Sequence, residues 1–164
     1  MQDEMSLELL TPTVRLVNES WAGHVQRLVA RWRVEDAGES CAVRALVGRL
    51  KRTRPSTYRH CVRTARLSRR LGLALGFDEP RLRQLSLTAM MHDIGKILVP
   101  EWVLSRPRRP TRFERFLLNM HPNFGALLSS YYGLTPELRI RTQHHHERWD
   151  GRGYRTASAA KTSL

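Results

Sequence analysis

Apolar residues recur at the spacing of an α-helix along most of this chain, and this periodicity constrains the fold more than any other feature. Near the N-terminus one helical face is formed by Val14, Val17, Trp21, Val25, Leu28 and Trp32. This run predicts a long amphipathic helix over residues 13–34. No segment shows the apolar and polar alternation of a half-buried strand. The sequence therefore predicts an all-α protein.

Residues that start and stop helices divide the rest of the chain. Asp78 is a predicted N-cap, Gly76 closes the preceding helix, and Thr111 with Glu114 forms a capping box. The predicted helices cover residues 41–50, 56–75 and 78–95, followed by three that begin at Thr111, Pro122 and Thr135.

The chain is strongly basic, with 28 Lys and Arg against 15 Asp and Glu in 164 residues and a net charge of +13. Arg59, Arg63, Arg66 and Arg70 fall on one stripe of a predicted helix. The charge could serve nucleic acid, attract a small phosphorylated substrate, or simply form a solvated arginine face. Few aromatic residues interleave with the stripe, which disfavours nucleic acid.

Several classes of protein do not fit the sequence. The longest apolar run, residues 71–77, is far shorter than the ~20 residues of a membrane span. The acidic residues 1–4 lack the pattern of a signal peptide. Cys41 and Cys61 make no disulfide framework. We therefore predict a cytoplasmic protein that does not cross a membrane.

Six of the seven histidines are candidates for a site, and only His24 lies elsewhere; the six are His60, His92, His121, His144, His145 and His146. His92 and Asp93 differ by ~100° around their helix, so both could reach one ion beside it, and the carboxylate could bridge two ions. For this pair alone, a helix-terminal histidine beside a surface carboxylate is the commoner arrangement. His60 shares a face with Leu67 and Leu71, so we expect it to point inward, where a single histidine is more often a hydrogen-bonded core residue than a ligand.

Three consecutive histidines, followed by Glu147, form a stronger signal. An engineered tag would give such a run, but tags lie at chain ends. His145 shares a helix face with Leu138 and should face the core, His146 can reach the same pocket, and His144 should face away. Glu147 could accept the free N–H of a ligand imidazole and orient it. With His121 at a further helix break, these residues describe an interior metal site in a helical bundle.

The ordered motifs identify a family. They are His92-Asp93-Ile94-Gly95-Lys96, then His121-Pro122, then His145-His146-Glu147-Arg148-Trp149-Asp150-Gly151-Arg152-Gly153-Tyr154. Together with Tyr58-x-His60, this set resembles the HD-GYP family of bacterial metal-dependent phosphodiesterases, within the HD superfamily. The resemblance runs from roughly Leu50 to Tyr154.

The resemblance implies an HD-type helical bundle with a centre of divalent metal ions, often iron or manganese, that hydrolyses the cyclic dinucleotide cyclic di-GMP to pGpG or GMP. It places Asp93 as the bridging ligand, and Lys96 can neutralise phosphate charge as it develops. The implied ligands are His60, His92, Asp93, His121, His145 and His146. The implied substrate loop contains Asp150, Gly151, Gly153 and Tyr154.

The sequence departs from the family pattern in three places. Arg155 replaces a proline, Ser56 replaces an acidic ligand found in some members, and no Asp follows Asp150, where the family has a last metal ligand. We therefore expect at most two ions and a bundle that is incomplete, or truncated, at its C-terminus. The predicted divisions are an N-terminal helical region at 1–50 that is a linker or dimerisation helix, a catalytic domain at 51–154, and a disordered tail at 155–164.

The sequence is consistent with two functions, one enzymatic and one not. One is a cyclic di-GMP phosphodiesterase of bacterial signalling, with activity reduced by the missing ligand. The other is a catalytically impaired module that binds metal, cyclic di-GMP or a signalling-protein partner without turnover. A third reading, another HD-type nucleotide phosphohydrolase, is disfavoured by the loop at Gly151–Tyr154. A homodimer through residues 13–34 is also predicted as an alternative to simple packing of that helix on the bundle.

Overall fold

The computed structural model describes residues 38–105, 107–148 and 150. Every regular element in these ranges is helical, which confirms the predicted all-α fold. None of the described helices is both long and apolar enough to span a bilayer. The elements are α1 (Glu39–Thr53), α2 (Pro55–Ala74), α3 (Glu79–Met91), the 3-10 helix η1 (Ile94–Ile97), α4 (Glu101–Leu104), α5 (Arg112–Asn119), α6 (His121–Tyr131) and α7 (Pro136–His144).

Local signals placed several helix ends correctly. Asp78 caps α3 by accepting a hydrogen bond of 3.0 Å from the backbone N–H of Arg81. Gly76 has φ of 75° at the turn after α2, a conformation that glycine adopts without a Cβ penalty. Thr111 and Glu114 form both hydrogen bonds of the predicted capping box.

Two predicted boundaries are wrong. The predicted connector after residue 50 is helical to Thr53, since Lys51 and Arg52 sit favourably in the last turn of α1. The helix predicted over 78–95 ends at Met91, and η1 follows after a turn. The reason for this second difference is not local: Gly95 lies against the backbone of α6.

The bundle is organised around η1, which packs against α1 and α6, while α2 pairs with α3 and α6 pairs with α7. The core is formed by apolar side chains from almost every element. Fully buried examples are Leu46, Leu50, Cys61, Met91, Ile94 and Leu128. The helix α1, which packs into this core, runs across residue 50, where a domain boundary was predicted. The division into an N-terminal region, a catalytic domain and a tail stays a prediction.

The predicted inward face of α2 is wrong. Leu67 and Leu71 are exposed, and the buried face centres instead on Cys61 and Gly72. Gly72 lies against Leu82 of α3, so α3 approaches α2 where the side chain is smallest. The predicted helix at 13–34 and the predicted tail at 155–164 lie outside the described residues.

Candidate metal centre

Five histidines and one aspartate from separate elements meet at one end of the bundle. His60 comes from the second turn of α2, while the others lie at helix ends. The converging residues are His60, His92, Asp93, His121, His145 and His146.

Three of the histidines are oriented by the same type of hydrogen bond to the backbone. The Nδ1 atoms of His92, His121 and His145 lie 2.6–2.7 Å from the carbonyl oxygen three residues earlier. Such carbonyls at helix C-termini lack a partner within the helix. With Nδ1–H donating to the carbonyl, the lone pair of each imidazole is on Nε2, which points into the centre.

Asp93 lies between two histidine clusters and is only 2 % exposed. Its Oδ1 is 3.2 Å from Nε2 of His121. Its Oδ2 is 3.3 Å from Nε2 of His92 and 3.8 Å from Nε2 of His60. One carboxylate oxygen therefore faces each cluster, as expected for a bridging ligand.

The spacing within each cluster fits a metal ion. Nε2 of His121 lies 3.1 Å from that of His145 and 3.2 Å from that of His146. In the second cluster, Nε2 of His60 and His92 are 3.3 Å apart. Two nitrogens bound to the same ion, each at ~2.1 Å, are separated by roughly 3.0–3.4 Å in octahedral or tetrahedral geometry. The donor sets are imidazole and carboxylate, which suit divalent transition metals.

The comparison with known proteins agrees with this geometry. The HD domain family matches residues 43–162. This chain belongs to the HD domain family. The match confirms the HD superfamily membership that the motifs indicated, and the family implies a divalent metal.

Relatives of the HD domain support the HD-GYP resemblance. A cyclic di-GMP phosphodiesterase of Pseudomonas aeruginosa is 36% identical over 107 residues, covering 65% of this chain and 26% of that protein. A Thermotoga maritima protein of the same description is 35% identical over 101 residues, covering 60% and 27%. A 3'3'-cGAMP-specific phosphodiesterase of Vibrio cholerae is 31% identical over 99 residues, covering 60% and 23%. The chain thus spans about a quarter of the length of these relatives.

Electrostatics in the HD domain favours the ligating forms of Asp93, His145 and His146. Burial opposes ionisation of Asp93, but hydrogen bonds with His121 and His92 outweigh it and hold its pKa well below the usual range. Burial, reinforced by the neighbouring His146, lowers the pKa of His145 to about 4. Burial also lowers the pKa of His146. At neutral pH the carboxylate is therefore charged and His145 is neutral, as metal binding requires.

Backbone contacts set the distances between the elements that carry the ligands. A Cβ atom on Gly95 would overlap the backbone of His121 and Gly125. A Cβ atom on Gly125 would lie 2.6 Å from Cγ2 of Thr142. Because neither glycine has a side chain, η1, α6 and α7 stack closely enough to bring His121 and His145 to Asp93.

Arg54 also supports the centre, and sequence reasoning missed it. Its Nη2 donates to the carbonyl of Val99 at 2.7 Å and its Nε to the carbonyl of Lys96 at 3.3 Å. These bonds fasten the C-terminal end of η1, whose N-cap is Asp93. Arg54 also pairs with Glu101. No local pattern indicates this role, because the contacts join residues more than forty positions apart.

The other predicted residues lie at the edge of the centre or outside it. Nζ of Lys96 is 2.8 Å from Oδ2 of Asp93. His144 lies outside both clusters, with Nδ1 2.9 Å from the carbonyl of Ile140. Glu147 is half-buried, and its orienting role stays a prediction. Asp150 is exposed and pairs with Arg148, while Gly151, Gly153 and Tyr154 lie outside the described residues.

Proposed function

We propose that this chain carries the hydrolytic site of a bacterial phosphodiesterase that cleaves cyclic di-GMP to linear pGpG or GMP. One observation carries the proposal: the buried carboxylate of Asp93 turns one oxygen to each of two histidine clusters. Phosphodiester hydrolysis commonly uses two ions held by such a shared ligand. Relatives named as cyclic dinucleotide phosphodiesterases support the substrate class.

The residues of the centre would hold divalent ions, which we propose to be iron or manganese. His121, His145 and His146 offer three nitrogens to one ion, with Oδ1 of Asp93 3.2 Å from Nε2 of His121, and His60 and His92 with Oδ2 offer three atoms to the other. When bound, such a pair supplies an activated water and neutralises phosphate oxygens. The chain supplies imidazole nitrogens and one shared negative charge, fixed in position before substrate arrives.

Lys96 and the basic surface complete the proposal. The ammonium of Lys96 lies at the edge of the centre, where it can bind a phosphate oxygen beside Asp93. We propose that residues 150–154 form the substrate loop and that the net charge of +13 attracts the anionic dinucleotide. A cytoplasmic location, a signalling-protein partner and a homodimer remain predictions.

A second candidate is a module that binds metal and cyclic dinucleotide without turnover. It is favoured by the exposure of the His60 cluster, since the side chain of His60 is 50% exposed. An ion in the cluster of His60 and His92 would exchange more readily with solvent. Hydrolysis that needs both ions would then be slow, while binding could persist.

The test is turnover by the purified full chain. We expect protein loaded with manganese, or with ferrous iron under anaerobic conditions, to convert cyclic di-GMP to linear product detected by chromatography. His145→Ala should abolish product, and His144→Ala, its neighbour outside both clusters, should retain it. Binding of cyclic di-GMP by calorimetry without any product, in protein that holds metal, would select the second candidate.

A further inference from the structure

The N-terminal end of α7 is bonded to a carboxylate that lies 96 positions earlier in the chain. Oε1 of Glu39, the first residue of α1, accepts a hydrogen bond of 3.1 Å from the backbone N–H of Thr135 and one of 2.9 Å from its hydroxyl. Thr135 is the N-cap of α7. Glu39 precedes residues 43–162, which match the HD domain family, so neither that match nor the proposed function gives it a role.

The hydroxyl of Thr135 is used differently from that of an ordinary N-cap. At the start of α5, the hydroxyl of Thr111 accepts a hydrogen bond from the backbone N–H of Glu114 in its own helix. The hydroxyl of Thr135 makes no such bond and donates to Glu39. A residue type that commonly caps its own helix therefore connects α7, which packs on α6 and α3, to α1, which packs on α2 and η1.

The opposite end of α7 carries metal ligands. The helix has nine residues, which is roughly 14 Å of length, and His145 follows it directly. Nδ1 of His145 lies 2.7 Å from the carbonyl oxygen of Thr142 within α7, so the imidazole moves with the helix. Near this end Thr142 lies against Gly125 of α6, and Leu138 is buried in the first half of the helix. A short helix moves as a nearly rigid rod, so contacts near both ends together fix its direction.

We propose that Glu39 is a positioning residue for the metal ligands of α7. Its carboxylate fixes the N-terminal end of the helix, and the direction of the helix sets where Nε2 of His145 lies, 3.1 Å from that of His121. The cluster of His60 and His92 comes from α2 and α3, so Glu39 should affect one cluster and leave the other unchanged. The inference rests on the metal binding proposed above and does not depend on hydrolysis.

The test measures the affinity of each cluster for manganese by competition with a chelator. In a His60→Ala background, which leaves the cluster of His121 and His145, Glu39→Ala should lower the affinity about three- to tenfold. In a His145→Ala background, which leaves the cluster of His60 and His92, the same change should have no effect. Glu39→Gln keeps an oxygen that can accept both hydrogen bonds, so it should retain most of the affinity.

Glu137→Ala is the matched control. Glu137 is exposed in the first turn of α7, so its loss removes the same charge from this helix end and leaves the contact of Glu39 with Thr135 in place. The affinity of both clusters should stay the same. Hydrogen exchange of the metal-free chain gives a second readout. Exchange of the α7 amides should become about three- to tenfold faster in Glu39→Ala, and by a smaller factor in Glu137→Ala.

Three results would overturn the positioning role. An equal loss at both clusters would mean that Glu39 stabilises the fold as a whole, and no loss at either would mean that α7 is positioned without it. A loss in Glu39→Gln as large as that in Glu39→Ala would assign the effect to charge and not to the bonds with Thr135. A wild-type chain that binds no manganese would refute the proposed metal centre itself, and the positioning role with it, which is a result distinct from these three.

Discussion

At the scale of single residues, Asp93 determines more of the centre than any other side chain. It is buried, negatively charged, and contacts histidines of both clusters through different oxygens. Each histidine, in contrast, faces one cluster, so the loss of one imidazole leaves the other cluster's donors in place. The consequences of substitution should therefore differ sharply between Asp93 and its neighbours.

Asp93→Asn should remove metal from both clusters, because the amide lacks the charge that attracts cations to either one. His60→Ala should remove metal only from the cluster of His60 and His92. Metal content after manganese loading, measured by mass spectrometry, checks both expectations, with His144→Ala as the control. Two ions per chain in Asp93→Asn would contradict the bridging role.

Gly95 should tolerate no side chain. Gly95→Ala places a methyl group into the backbone of α6, and we expect a loss of about 3 kcal/mol or more in the free energy of unfolding. Gly48→Ala in α1 is the matched control, since its Cβ meets only Arg52 at 3.7 Å. It should stabilise the protein by about 0.5–1 kcal/mol. Urea denaturation measures both, and equal effects would contradict the close packing.

At the scale of elements, helix ends carry both the ligands and the bonds that hold them. Asp78, Gly76 and the Thr111 capping box were predictable because each signal acts within a few residues. The end of α3 and the exposed side of α2 were not, since contacts of Gly95 and Gly72 with distant helices decide them. The motifs predicted which residues could bind metal, but the distances between them depend on the contacts of Gly95 and Gly125, which only the fold shows.

Arg54→Lys should loosen η1. Lysine keeps the positive charge near Glu101 but cannot reproduce the fixed fork that bonds two carbonyls. By analogy with other residues that orient metal ligands, we expect metal affinity to fall roughly 10- to 100-fold with helix content unchanged. Arg52→Lys, exposed at the same end of α1, should leave the affinity as it is. A competition titration with a chelator separates the two, and equal affinities would rule out the positioning role.

Glu114 should make the start of α5 sensitive to acid. Hydrogen bonds from Arg108 and from the backbone N–H of Thr111 lower its pKa to about 2. Because the folded pKa lies below the unfolded value of about 4.3, the stabilisation is complete above that value and disappears as pH falls towards 2. Glu114→Gln should therefore be less stable than wild type at pH 6, with the difference shrinking below pH 4. Thermal unfolding across pH tests this, with Glu137→Gln, at an exposed position of α7, as the control. A difference in stability between Glu114→Gln and wild type that stays constant with pH would contradict the expectation.

At the scale of the whole molecule, the excess of arginine produces a long-range electrostatic field and does not determine the fold. Such a field is screened by salt over a Debye length of about 10 Å at 0.1 M. If it attracts an anionic dinucleotide, binding should weaken with ionic strength while chemistry at the buried centre should not.

We therefore expect KM for cyclic di-GMP to rise severalfold between about 0.05 and 0.5 M salt. The value of kcat should stay nearly constant, since bound substrate is positioned by the centre itself. Steady-state kinetics over this range measures both. An invariant KM would mean that the basic surface serves another ligand.

The stack of Gly95, Gly125 and Thr142 has a consequence for how such a protein can evolve. The spacing of three ligand-bearing elements depends on the absence of two side chains, and one of these elements is also held by Arg54. Surface positions can drift towards arginine, and helix flanks can acquire new partners, without altering the dimensions of the centre. A lineage could therefore change its regulation rapidly while inheriting its chemistry intact.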